Sequence, residues 1–215
     1  MPTVYGVNAS PFVRKVRVVL AEKKVAYDLE PIMVGPMMPA EFRTMSPLGK
    51  IPAYKDDAGR VLADSSVISA YIERTHPSPA FYPADAYDYA RALWFEEWAD
   101  SGLVAVFGAK IFFPKVVAPR FFGRPCDEAA VQKAIDEDLP PLFDYLESQL
   151  GSGPFLVGGA LSIGDISVLS QFVNLRHAGV TPDATRWPKV AAYVAAGHAR
   201  PAFKTLIGEE SAQFS

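Results

Sequence analysis

Residues 3–20 read TVYGVNASPFVRKVRVVL, and the switch of period inside them decides the fold. Residues 3–7 form a short apolar run of the kind that makes a buried strand. From Phe12 onward Val13, Val16 and Leu20, with Val19 beside them, recur at helical spacing. The chain therefore opens β-then-α. Ser10-Pro11 marks the boundary, because serine before a helix and proline at its first position are what a helix start prefers. Position 13 holds Val where a capping box needs Glu or Gln, so the Ser10 hydroxyl has no reciprocal partner encoded locally. A hydroxyl after a strand, at the positive end of a helix, also suits an anion such as a thiolate. Helix cap and anion donor are both open at this point.

Outward from that stretch, VAYDLEPIMV at 25–34 gives a second strand. IPAYKD and RVLAD straddle Asp57–Arg60 as a hairpin, and SSVISAYIERTH returns to helical period. Pro77, Pro79 and Pro83 then mark a semi-rigid linker. Beyond it the pattern is helical: Ala86–Lys110, Asp127–Leu150, Ile163–Ala178, Pro188–Ala196 and a short Pro201–Ile207. The Pro140-Pro141 pair should bend or restart the second of these. The expected organisation is residues 1–76, a linker at 77–85, and residues 86–215. LSIGDI at 161–166 pairs Ser162 with Asp165 as a capping box flanked by the staple residues Leu161 and Ile166, which assigns Asp165 to folding rather than chemistry.

Composition narrows the function. Half of the 215 residues are hydrophobic and the formal net charge is -3, with no dense Lys/Arg block to recruit nucleic acid or acidic membranes. The single cysteine, Cys126, excludes an internal disulfide framework and suits a reducing compartment. His76, His177 and His198 lie far apart without metal-ligand spacing, so no metal is expected. The most apolar segment, LVAVFGAKIFF, is interrupted by Lys110, so neither a signal peptide nor a membrane span is expected. A cytoplasmic protein with a small-molecule ligand is the resulting expectation.

Two further stretches carry chemistry. SPLGKIPAY sets Ile51-Pro52 between a turn and a strand; a cis bond there would turn the Ile51 amide and carbonyl toward a pocket wall. Lys50 just before it reads equally as a solvated charge and as a carboxylate partner. In ADSSVI, any of Asp64, Ser65 and Ser66 could cap the next helix, while a helix start with free N–H groups beside an acid also suits a zwitterion.

The stretches SPFVRKVRVVL, SPLGKIPAY and ADSSVISAYIE, followed by the proline linker, the capping box after Leu161 and HARPAF near the end, resemble a cytosolic glutathione transferase of the serine-type branch along the whole chain. The resemblance implies a thioredoxin-like N-terminal lobe followed by an all-helical C-terminal lobe, an α/β plus all-α fold class, as a homodimer. It implies that Ser10 hydrogen-bonds the sulfur of the co-substrate glutathione, that Ile51 and a cis Pro52 hold its cysteinyl part, that Lys50 lies near its glycine carboxylate, and that Asp64 and Ser65 hold its γ-glutamyl end. The expected activity is conjugation of the glutathione thiolate to small hydrophobic electrophiles, with peroxidase activity toward organic hydroperoxides beside it. A glutathione-dependent isomerase or dehalogenase, or a non-catalytic binding module, stands as the alternative.

Two departures are visible. The loop Gly35-Pro36-Met37-Met38-Pro39 lacks the basic or amide side chain that several serine-type members carry, and the SSCSWR signature of the maleylacetoacetate isomerases is absent. For the electrophile, FGAKIFFPKVVAPRFFGRPC supplies apolar surface between the lobes. Pro114, Pro119 and Pro125 predict a broken helix there, and Phe107, Phe112 and Phe113, with Phe12 from the first lobe, are candidates for the pocket. Core filling and a dimer contact are equally open for these rings.

Overall fold

In the computed structural model, which describes residues 1–35 and 38–214, strands β1 (Thr3–Tyr5), β2 (Asp28–Glu30), β3 (Ala53–Lys55) and β4 (Val61–Ala63) form one sheet in the order β2-β1-β3-β4. β1 runs parallel to β2, and β3 is antiparallel to both β1 and β4. The parallel pair needs a crossover, which α1 (Pro11–Glu22) provides, whereas the antiparallel pair closes through the tight turn at Asp56–Gly59. Helices α2 (Phe42–Met45) and α3 (Ser65–Thr75) complete this lobe. The loop at Gly35–Pro39 falls partly outside the described residues, since Pro36 and Met37 are not among them.

The second lobe is all helix. α4 (Ala86–Glu97) continues without interruption through a π-helical stretch, Trp98–Val117, into α5 (Ala118–Phe122). The predicted break in this segment is not found. Pro114 lies inside the widened turns, where hydrogen bonds such as Ala118 N–H to Phe113 C=O span five residues. A proline ring strikes the carbonyl four residues back in an α-helix, and a five-residue turn moves that carbonyl aside. By length and composition this 37-residue helix could cross a membrane. Here Leu103, Phe107 and Ile111 on it are fully buried in the core.

α6 (Glu128–Lys133) runs through a short π-helical turn into α7 (Leu139–Gln149), whose first turn carries the two prolines; the helix continues past them without the predicted restart, Leu139 N–H reaching the Ala134 carbonyl five residues back. α8 (Ile163–His177), α9 (Pro188–His198) and α10 (Pro201–Phe214) follow. α10 runs past the predicted end at Ile207. Its last turns, GEESAQF, show no apolar period, and they are held instead by charges that α1 supplies.

α8 is the axis of this lobe, buried from Ile163 to Leu175. A Cβ on Gly164 would come within 2.8 Å of Phe95 Cβ and 2.9 Å of the Ala92 carbonyl, so glycine is what lets α4 approach α8 so closely. Two turns further along α8, Phe172 stacks on Phe143 at 5.6 Å between centroids and meets Phe107 edge-on at 5.2 Å. Trp187 closes the group against Phe143 at 5.0 Å. Offset and edge-to-face arrangements of this kind place the ring edges against the negative faces of their neighbours.

Candidate active site

Strand register brings the three sequence motifs to one end of the sheet. Tyr5 pairs with Ala53, and Ala53 pairs with Ala63, so these residues form a row across β1, β3 and β4. Ser10 follows the end of β1, Ile51-Pro52 precedes the start of β3, and Asp64-Ser65 follows the end of β4. All three leave the sheet from the same edge. Contacts draw them closer. A Cβ on Gly6, whose φ of +152° favours glycine, would collide with Val13 of α1 and stand 3.3 Å from Ile51. The Lys15 ammonium of α1 reaches Ser66 Oγ at the start of α3 over 3.0 Å.

Ser10 is the N-cap of α1, with Pro11 at the first helical position. Its Oγ accepts from the Val13 amide at 3.4 Å, long for an N–H···O bond, and among the described residues its O–H donates to no protein group. The hydroxyl is half-buried at the positive end of a 12-residue helix. The residue is thus cap and free donor at once.

The Ile51–Pro52 peptide is cis and both residues are buried. Lys50 is exposed, and its side chain has no partner among the described residues. Ser46 Oγ donates to the Lys50 carbonyl at 2.6 Å and fixes the turn that delivers Ile51. Of the three possible caps at the start of α3, Asp64 takes the role: its Oδ1 accepts from Ser66 N at 2.9 Å and Val67 N at 3.3 Å. Asp64 is exposed, with φ of +78°, and Ser65 behind it is buried.

The four phenylalanines part company. Phe12 is half-buried next to Ser10 on α1. Phe107 is wholly buried in the aromatic group around Phe172, the core role that the sequence left open for it. Phe112 is buried at 5 % exposure against His177 and Phe214. Phe113 is 41 % exposed and tilts against Phe122 at 6.0 Å. Two grooves among the described residues, of about 540 Å³ along α8, α9 and α10 and about 440 Å³ between α1 and α10, are not lined by Ser10, Ile51 or Asp64.

A set of charges that local sequence reading misses holds the site to the helical lobe. Arg14, Lys15 and Arg17, consecutive cations of the RKVR run, are all buried. Lys15 pairs with Glu96 at 3.0 Å and Asp100 at 2.5 Å. Arg17 donates to Tyr27 OH at 2.7 Å, Asn8 Oδ1 at 2.8 Å and Glu209 at 2.7 Å. Arg14 makes a two-pronged pair with Glu210 at 2.7 and 2.5 Å, and gives Nη1 to the Ser170 carbonyl and to Asn174 Oδ1. Burial alone would push the Glu210 carboxyl up, but Arg14 and the hydrogen bond to His177 hold it below its ordinary value. Burial pushes Asp100 up, and Lys15 only partly offsets it. The acidic partners of these cations lie more than 80 residues away, which is why helical periodicity alone reads α1 as an apolar stripe.

A small sheet with flanking helices and a cis-proline loop, followed by a helical lobe, define a protein of the thioredoxin-like, two-lobed class. The comparisons with known proteins make that specific. Residues 4–80 match the glutathione S-transferase N-terminal domain and residues 128–196 the glutathione S-transferase C-terminal domain, together well over half of the chain. The chain belongs to the glutathione S-transferase family. It is 30% identical over 191 residues to a probable maleylacetoacetate isomerase 1 of Drosophila melanogaster, covering 86% of this chain and 74% of that one. It is 29% identical over 210 residues to glutathione S-transferase 3 of Zea mays, covering 95% and 92%. A solved glutathione S-transferase from Methylobacillus flagellatus with glutathione bound superposes at a TM-score of 0.76 with 27% identity, covering 96% of this chain and 98% of that one. Among the described residues no His, Cys, Asp and Glu group could hold a metal ion.

Proposed function

We propose that the chain binds glutathione across the sheet edge where Ser10, Ile51 and Asp64 emerge, and transfers its thiolate to a small apolar electrophile. The observation that carries this reading is the Ser10 hydroxyl: a half-buried helix-start donor with no protein acceptor among the described residues, set by strand register at the same end of the sheet as the two other motifs, with the Ile51-Pro52 loop next to it. In this reading Ser10 donates to the sulfur, the Ile51 backbone holds the cysteinyl part, Asp64 and Ser65 hold the γ-glutamyl end, and the exposed Lys50 takes the glycine carboxylate.

Serine is too weak a base to take the thiol proton. Its part is to stabilise the anion once the proton has left to solvent. A thiol of pKa about 8.5 is only a few per cent thiolate at neutral pH, and the thiolate is the nucleophile. Lowering that pKa by one to two units requires about 1.4–2.7 kcal/mol. One hydrogen bond to a charged group contributes about 1.5–3 kcal/mol, so Ser10 with the α1 dipole is sufficient. In conjugation the sulfur lone pair forms the new C–S bond while the leaving group departs with its bonding electrons. Organic hydroperoxides are the second electrophile class.

The Drosophila relative named a probable maleylacetoacetate isomerase favours a second reading, a glutathione-dependent isomerase using the same thiolate. A homodimer in the cytoplasm is part of the proposal. Val67 of α3 and Tyr87 and Trp94 of α4 are large apolar residues at least half exposed, a surface suited to a second copy. The test is steady-state turnover of glutathione with an activated aryl halide, an organic hydroperoxide and a cis-enone diacid. Ser10→Ala should lower turnover strongly at nearly unchanged glutathione affinity, and an unaltered rate would remove Ser10 from the chemistry.

A further inference from the structure

We infer that Glu210, on the C-terminal helix, is a positioning residue for Ser10, acting through the Arg14 guanidinium; the inference rests on the role proposed for Ser10 above. Three observations lead to it. First, Ser10 is weakly fixed by its own cap. Its Oγ has only the 3.4 Å contact from Val13, so the place of the hydroxyl follows the place of the first turn of α1. Second, that turn is tied to α8 and α10 through Arg14, the cation nearest Ser10. Arg14, whose amide donates to the Ser10 carbonyl at 2.9 Å, sends its guanidinium to the Ser170 carbonyl, Asn174 Oδ1 and both oxygens of Glu210, and reaches the Ala9 carbonyl beside Ser10 at 3.5 Å. Third, Glu210 is itself held in place. Its Oε2 also meets His177 Nε2 at 2.9 Å, and His177 stacks with Phe214 at 4.9 Å between centroids and with Phe112 at 6.5 Å.

Arg14 and Glu210 are both fully buried, so neither is screened by solvent. A planar fork facing a carboxylate fixes direction as well as distance. Glu210 therefore sets the aim of Arg14, and Arg14 sets where α1 begins relative to α8. The titratable groups facing the pair are His177 of α8, on Glu210, and His198 of α9, near Arg14.

Positioning and simple electrostatics make opposite predictions. Removing the negative charge of Glu210 while everything else stays in place leaves Arg14 uncompensated close to the sulfur, and would lower the pKa of bound glutathione. Loss of positioning moves Ser10 away from the sulfur and raises it. The experiment is ultraviolet titration of the glutathione thiolate on the intact protein, wild type against Glu210→Gln, with the exposed Glu137→Gln of the helical lobe as the control. The expected result is a rise of about half to one unit in E210Q, a three- to tenfold loss of kcat/KM for glutathione below that pKa, and no shift in E137Q. Should E210Q not fold, Asn174→Ala removes one acceptor from Arg14 and is expected to shift the pKa in the same direction by a smaller amount. Restoring the carboxylate as Glu210→Asp should recover part of the loss, which a general loss of stability would not reproduce. An unchanged or lowered pKa in E210Q and N174A overturns the inference. A wild-type protein whose bound thiol titrates as in free solution would instead overturn the proposed role of Ser10 itself.

Discussion

Ser162 and Asp165 are reciprocal partners at the start of α8: the Ser162 amide and hydroxyl both donate to Asp165 Oδ2, at 2.9 and 2.7 Å, while Ser162 Oγ accepts from the Asp165 amide at 3.3 Å. Asp165 Oδ1 also takes the Leu156 amide at 2.9 Å and the Tyr193 hydroxyl at 3.1 Å. One carboxylate thus joins the loop before α8 to α9, with no group of the candidate site touching it. Ser162→Ala should cost about 0.5–2 kcal/mol of stability. Asp165→Ala, which orphans every one of these buried donors, should cost at least about 3 kcal/mol. Urea unfolding gives both values, and turnover per folded molecule should stay near wild type.

Lys15 holds Glu96 and Asp100 together under the start of α3. Lys15→Met should destabilise the fold by about 3–5 kcal/mol, because two largely buried carboxylates lose their cation. The loss should shrink on acidification. A carboxyl whose folded pKa lies above its unfolded value binds its proton preferentially in the folded state, so stability rises as pH falls through that pKa. Burial already pushes Asp100 up, and removing Lys15 pushes it further. Urea midpoints of K15M at pH 7 and pH 5 should therefore lie closer to wild type at the lower pH, and a gap that widens on acidification would contradict the assignment.

His198 gives the opposite sign. Burial, with Arg14, Arg176 and His177 nearby, pushes its imidazole from the ordinary 6.5 down to about 4 while Nε2 faces the Leu169 carbonyl at 3.0 Å. As pH falls from 6.5 the unfolded chain takes up a proton that the folded protein refuses until about 4, so stability is lost across that window. The full effect is about 3 kcal/mol. His198→Gln keeps a donor for Leu169 and cannot titrate. Its unfolding midpoint should therefore fall less between pH 7 and pH 4.5 than that of wild type.

The parts of the fold that were legible are those coded by neighbours in sequence. The strand-to-helix opening at 3–20, the hairpin around Gly59 and the capping box each depend on residues a few positions apart. The site motifs were legible for the same reason, since each is a single turn. What escaped is set by distance. Arg14, Lys15 and Arg17 find partners at Glu210, Glu96, Asp100 and Glu209, and no window of sequence joins them. The extension of α10 to Phe214 escaped with them, because Glu209 and Glu210 hold it by charge. Pro114 misled because its penalty belongs to the α-helix, and the chain there winds wider.

The central claim is that Ser10 stabilises a thiolate, and its most direct test is the pKa of glutathione bound to wild type and to Ser10→Ala, read from thiolate absorbance against pH. The account predicts a wild-type pKa one to two units below that of the free thiol, about 8.5, and a return most of the way to the free value in S10A at nearly unchanged glutathione affinity. Equal pKa values in the two proteins would contradict it.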